Sequence, residues 1–106
     1  MGVFVISAYR PKEGMEAWLL EVLKTHLPIL RAEGLATDRP SQVMRAKDGT
    51  MIEVFEWNSR EAIDAAHDSA AVNAMWKDFE EACEYEILSN LPECRELFAS
   101  FEPVDL

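Results

Sequence analysis

The feature that most constrains this chain is a set of β-rich segments that are apolar on both faces, with too little helix to cover them. From the N-terminus the residues read as strand, helix, strand, hairpin turn, strand, helix, strand. Side chains alternate along a strand, so in Val3–Tyr9 the residues Phe4, Ile6 and Ala8 point one way and Val3, Val5, Ser7 and Tyr9 the other. In Met51–Trp57, Ile52 and Val54 oppose Met51, Phe55 and Trp57. An antiparallel sheet with one wet face alternates apolar and polar residues instead. Two helices, each ~10 Å across, roof one side of a four-stranded sheet ~19 Å wide. The other side needs a second cover, and a second copy of the chain supplies it most simply, because rows of Val, Phe and Trp in water exceed what monomers expose. A homodimer is therefore expected. The strand at Ser41–Lys47 carries Val43, Arg45 and Lys47 on one side, which fits a cavity wall or, more commonly, a protected sheet edge.

The helices are legible from spacing. Met15, Trp18, Leu19, Val22, Leu23, His26, Leu27 and Leu30 form one i, i+3, i+4 stripe, with Pro28 predicted to bend it and Gly34 to end it. Lys47–Asp48–Gly49–Thr50 holds the Asp-Gly pair of a tight hairpin. Asn58, with Glu61 three residues on, predicts a capped helix that carries Ile63 and Ala66. A corner near His67 and a fresh cap at Ser69 lead into the stripe Val72, Met75, Trp76, Phe79 and Cys83. Tyr85–Leu88 reads as the last strand, with a continued helix as its rival. Pro92–Leu97 reads as a short helix and Phe98–Val104 as an extended tail that needs a cover for Phe98, Phe101 and Val104.

A length of 106 residues predicts one domain spanning 1–106, with 92–106 as a C-terminal extension. Twenty acidic residues against ten basic ones give a net charge of −10, a field that repels nucleic acid and anionic lipid. No stretch approaches the ~20 apolar residues of a membrane span. Cys83 and Cys94 are too few for a disulfide framework, and the apolar run at Val3–Ile6 lacks the features of a secretory leader, so a reduced, cytoplasmic setting is expected.

This order of elements resembles the antibiotic-biosynthesis-monooxygenase-like family of dimeric α/β-barrel proteins. The resemblance covers residues 3–91 and rests on VFVISAYRP, the helix ending in Gly34, the KDGT hairpin, and VFEWNSREAI with Trp57 closing the third strand. It implies an α+β, ferredoxin-like βαββαβ fold whose antiparallel four-stranded sheet pairs with that of a partner. The family includes cofactor-free monooxygenases acting on aromatic molecules and haem-degrading enzymes. The haem-degrading members share an Asn on the first strand and a His ligand in the second helix; here Ser7 and Trp76 stand in those places. Haem degradation is not expected.

Tyr9, Arg45, Trp57 and Trp76 are candidates for lining a cavity between helices and sheet, with Arg45 steering an anionic or phenolic group; as plain structure, the tryptophans would fill core or interface. Ser7 is a further lining candidate with no acid–base partner nearby in sequence. His67, at the corner, is a candidate general base, or else a solvated His beside Asp68. His26 reads as a core histidine, and Glu53 and Glu56 as solvent-facing or cross-strand charges. No His-x-His, Cys-x-x-Cys or carboxylate triad has metal-ligand spacing, so neither metal nor cofactor is expected. Two functions remain open. One is a cofactor-independent monooxygenase acting on a small aromatic or hydrophobic molecule; the other is a non-catalytic dimeric module for ligand binding or assembly.

Overall fold

Five antiparallel strands form one open sheet in the order β4-β1-β3-β2-β5: β1 (Val3–Pro11), β2 (Gln42–Arg45), β3 (Met51–Trp57), β4 (Cys83–Glu86) and β5 (Glu102–Pro103). The structure is a computed structural model that describes residues 2–106. Among the described residues three helices accompany the sheet: α1 (Glu16–Ala32), α2 (Arg60–Ala66) and α3 (Ala70–Ala82). The inner order β4-β1-β3-β2 is that of a ferredoxin-like α+β fold. Within one chain the sheet does not close into a barrel.

Local chemistry explains where the elements stop. Pro28 lies exposed inside α1, which runs past it to Ala32. Gly34 then takes φ +72°, and a Schellman pair closes the helix: Gly34 N–H donates to Arg31 O at 3.0 Å and Leu35 N–H to Leu30 O at 2.8 Å. The β2–β3 connection is one residue looser than the expected tight turn. Ala46 and Thr50 close it around Lys47, Asp48 and Gly49, with Gly49 at φ +92°. Ser59, not Asn58, caps α2, its hydroxyl accepting from Ala62 N–H at 3.0 Å. Asn58 instead ties Gly34 O to the start of the second half through its amide, at 2.6 Å. Ser69 caps α3 from Val72 N–H at 3.2 Å, so the helical segment breaks at His67 as its restarted pattern implies.

The register fixes both sheet faces. Val5 pairs with Phe55, Ser7 with Glu53 and Tyr9 with Met51, while Val43 flanks Glu53 from the other side. This face meets the buried stripe of α1 (Leu19, Val22, Leu23, His26, Leu27, Leu30) and that of α3 (Val72, Met75, Phe79, Ala82) to make the main core. Trp18, on the edge of the α1 stripe, stays exposed.

The opposite face is half covered by the chain itself. Two 3₁₀ turns, Leu88–Asn90 and Pro92–Arg95, lead the tail across it, and Leu88, Leu91, Cys94 and Phe101 pack on Ala8, Ala46 and Ile52. The tail ends as β5 on the edge of β2, so the sheet has five strands rather than the expected four, and Phe101 and Val104 find their cover within the chain. Phe4 and Ile6 keep 56% and 53% of their surface in water, and Leu97 and Phe98 are more exposed still.

Candidate functional site

The centre of the helix-covered face holds a carboxylate. Glu53 is 1% exposed, between Ser7 on β1 and Val43 on β2, and is not the solvent-facing charge that its type suggests. Strand parity places it there: it alternates in step with Met51, Phe55 and Trp57, all of which face the helices. Glu56 is also mostly sequestered, though on the other face; Thr37 Oγ1 and Arg39 Nε donate to its Oε1 at 2.8 and 2.9 Å, and the Arg39 bond, followed by that of Thr37, draws its carboxyl below the usual range.

Two donors converge on Glu53. His26, reaching down from α1, sets Nδ1 2.7 Å from Oε1, and Tyr9, from β1, sets its hydroxyl 2.9 Å from the same oxygen. Both rings are 3% exposed. A carboxylate only accepts, so Nδ1 carries a proton and donates it, leaving Nε2 as the ring nitrogen open to other chemistry. Phe55 and Phe79 meet the imidazole edge-on at 4.9 and 5.1 Å and lock its plane. Tyr9 stacks on Phe79 at 4.9 Å. Burial, then the Glu53 charge, raise the Tyr9 phenol well above its ordinary value, so it remains a donor.

His26 borders a cavity of about 420 Å³ between the sheet and α2 and α3. Val5, Ser7, Tyr9, Phe55 and Trp57 form its floor; Ile63, His67, Trp76, Phe79 and Glu80 come from the helices, and Tyr85 from β4. The corner between α2 and α3 brings His67 over Trp76, with ring centroids 5.1 Å apart. His67 is exposed, and among the described residues its ring has no hydrogen-bond partner to orient it.

Five of the six lining candidates read from the sequence (Ser7, Tyr9, Trp57, His67 and Trp76) therefore border one cavity. Arg45 lies elsewhere, in a separate cleft with Lys47, Glu93 and Phe101, and donates to Glu16 Oε1 at 2.9 Å. Sequence reasoning missed the Glu53–His26 pair. A carboxylate in phase with three apolar residues on a central strand, and a histidine in phase with a leucine stripe, were the available signals. Among the described residues no group of three or more His, Cys, Asp or Glu is arranged to hold a metal ion, and no helix is long and apolar enough to cross a membrane.

Fold and site together define a ferredoxin-like α+β chain with an aromatic cavity under its helices and a buried, carboxylate-oriented histidine in its wall. No family model matches the chain, and no curated protein matches it in sequence. Among solved structures it is similar to Rv0793 from Mycobacterium tuberculosis, with a TM-score of 0.64 and 20% identity over 81% of this chain and 89% of that one. The likeness is one of fold.

Proposed function

We propose that the chain binds a small aromatic molecule in this cavity and oxidises it with dioxygen and no cofactor, as the resemblance to antibiotic-biosynthesis-monooxygenase-like proteins suggests. One observation carries the reading: His26 lines an apolar, aromatic cavity while its Nδ1 is fixed on buried Glu53. A carboxylate that orients a histidine leaves Nε2 placed as a general base, a role worth about 10²–10⁴ in rate. Burying a carboxylate in a small core is costly and gains little stability even when it is hydrogen-bonded, which is the pattern expected where a site rather than the fold requires it. His26 Nε2 takes a proton from an acidified CH₂ of the ligand. The carbanion adds dioxygen, and reprotonation by the same ring gives a hydroperoxide. Loss of water across its C–H and O–O bonds leaves a carbonyl. His67, unoriented at the rim, is the weaker candidate for the base.

Oxygen uptake with a panel of anthrone-like substrates tests this. His26→Ala is expected to lower kcat at least 100-fold, Glu53→Gln to lower it with KM little changed, and His67→Ala to stay within threefold. Uptake no greater than buffer across the panel, or a folded His26→Ala protein at the wild-type rate, overturns the reading. The second reading, a binding module without turnover, is favoured by the mostly aromatic and aliphatic lining of the cavity; it predicts saturable binding of the same molecules with no oxygen consumed.

The assembly proposed is a homodimer. The half of the sheet that the tail leaves bare presents Phe4, Ile6 and Val54, with Leu97 and Phe98 exposed on the tail. Full burial of such a side chain contributes about 1.5–3 kcal/mol; Phe4 and Ile6, still about half in water, retain about half of that to gain and Leu97 and Phe98 most of it, which in combination offsets the cost of association.

A further inference from the structure

We infer that the cavity selects aromatic ligands bearing a cationic head group, an ammonium or protonated heterocycle, over their anionic counterparts, with Glu80 as the residue that makes the choice. The inference rests on the reading of the cavity as a binding site for small aromatics and adds the charge of what enters. Six of its lining residues are Phe, Tyr or Trp, and among the described residues no lysine or arginine lines it. Ring faces attract cations through their quadrupole and repel anions, most strongly where water is excluded. A ligand carboxylate would lose its hydration and meet no lysine or arginine in return, whereas a cation is offset by the ring faces and a neutral group carries no such cost.

The carboxylates at and behind the lining share one sign. Glu80 borders the cavity from α3 and is exposed at its mouth. The ammonium of Lys12 lies close by, hydrogen-bonded to the backbone carbonyl of Glu80 at 2.6 Å, and keeps its charge there, but it is not part of the cavity lining. Arg10, on the neighbouring strand, is paired with Glu86. Glu53, deeper in the wall, adds a second carboxylate beneath His26. Around the site the whole chain carries −10, a field that concentrates cations at any mouth on its surface. Arg45, the residue that could have steered an anion, lies in the other cleft.

Three probes that share a ring and differ in the head group test the inference: 1-naphthylmethylamine, 1-naphthalenemethanol and 1-naphthoate. Titrations are followed by the indole N–H signals of Trp57 and Trp76, with Trp18 as an internal reference because it lies outside the cavity. The amine is expected to bind at least tenfold more tightly than the naphthoate, the alcohol between them, with shifts at Trp57 and Trp76 and none at Trp18. Glu80→Gln, an exposed and conservative change, is expected to cut that ratio below threefold without weakening the alcohol. Equal or tighter binding of the naphthoate, or a ratio unchanged in Glu80→Gln, overturns the inference while leaving the cavity a binding site. If none of the three perturbs Trp57 or Trp76, the binding-site reading fails and this inference falls with it.

Discussion

Replacing His26 by Leu leaves Glu53 in an apolar core with one donor instead of two, and the cost separates a pair kept for chemistry from one kept for the fold. Glu53 is 1% exposed and His26 3%, so neither can turn to water without opening the contact between α1 and the sheet. Removing one donor from a buried charged acceptor costs about 1.5–3 kcal/mol, because Glu53 keeps only the Tyr9 hydroxyl. Globular proteins unfold with about 2.1 cal/mol/K per residue, so in a chain of this length 1 kcal/mol moves Tm by about 4.5 °C. The single variant is therefore expected to lose about 7–13 °C at fixed protein concentration. Replacing the whole cluster removes the penalty. In the Tyr9→Phe, His26→Leu, Glu53→Met triple variant the buried polar groups give way together to apolar side chains of similar volume, and such exchanges are close to neutral or stabilising. Its Tm is expected to equal or exceed that of the wild type, with oxygen uptake gone. Calorimetry at one concentration reads both variants. A triple variant as unstable as His26→Leu would refute the reasoning: the pair would then be a net structural asset, and its burial would carry no implication of function.

Two further outcomes follow from burial. Ile6→Glu puts two like charges where the proposed partners meet, and sedimentation equilibrium at micromolar concentration is expected to find a dimer for the wild type and a 12.0 kDa species for the variant; a wild-type protein that sediments as the smaller species would end the dimer proposal. Burial pushes the Cys83 thiol up to about 11 and the Tyr85 phenol up to about 12, and holds Tyr9 high as well. Each raised group keeps its proton in the folded state to a higher pH than in the unfolded chain, so its contribution is complete below the unfolded pKa and is lost as pH rises towards the folded value. Urea midpoints should therefore decline from about pH 9 upward, Cys83→Ala should flatten that decline between about pH 9 and 11, and identical slopes would show that the thiol is not a cause.

The parts of the fold that were legible are those where one side chain decides the local outcome. Gly34 and Gly49 hold the positive φ values that end a helix and turn a hairpin, and Ser69 restarts a helix whose apolar stripe has gone out of phase. Asn58 and Ser59 could not be ranked as caps from type alone, since both accept hydrogen bonds well and only the path of the chain decides which one faces Ala62 N–H. The tail was out of reach for another reason. Its apolar residues required a cover, and a cover from the same chain obeys the same pattern as one from a partner, so spacing could not separate them; the outcome is that Leu91 and Phe101 roof Ala8 and Ile52 while Phe4 and Ile6 stay bare. Glu53 is a different kind of miss. Residue type assigned it to water and strand parity assigned it to the core, and composition-based expectation followed the type. The register follows parity, and the cost of the buried charge is met by donors from two other elements. A local rule broken at the centre of a sheet, with its compensation drawn from a helix and a neighbouring strand, marks a position held for something other than packing. For that reason this protein's chemistry is to be sought first at His26, on the cavity wall, with Glu53 behind it, and not at the more visible histidine on the corner.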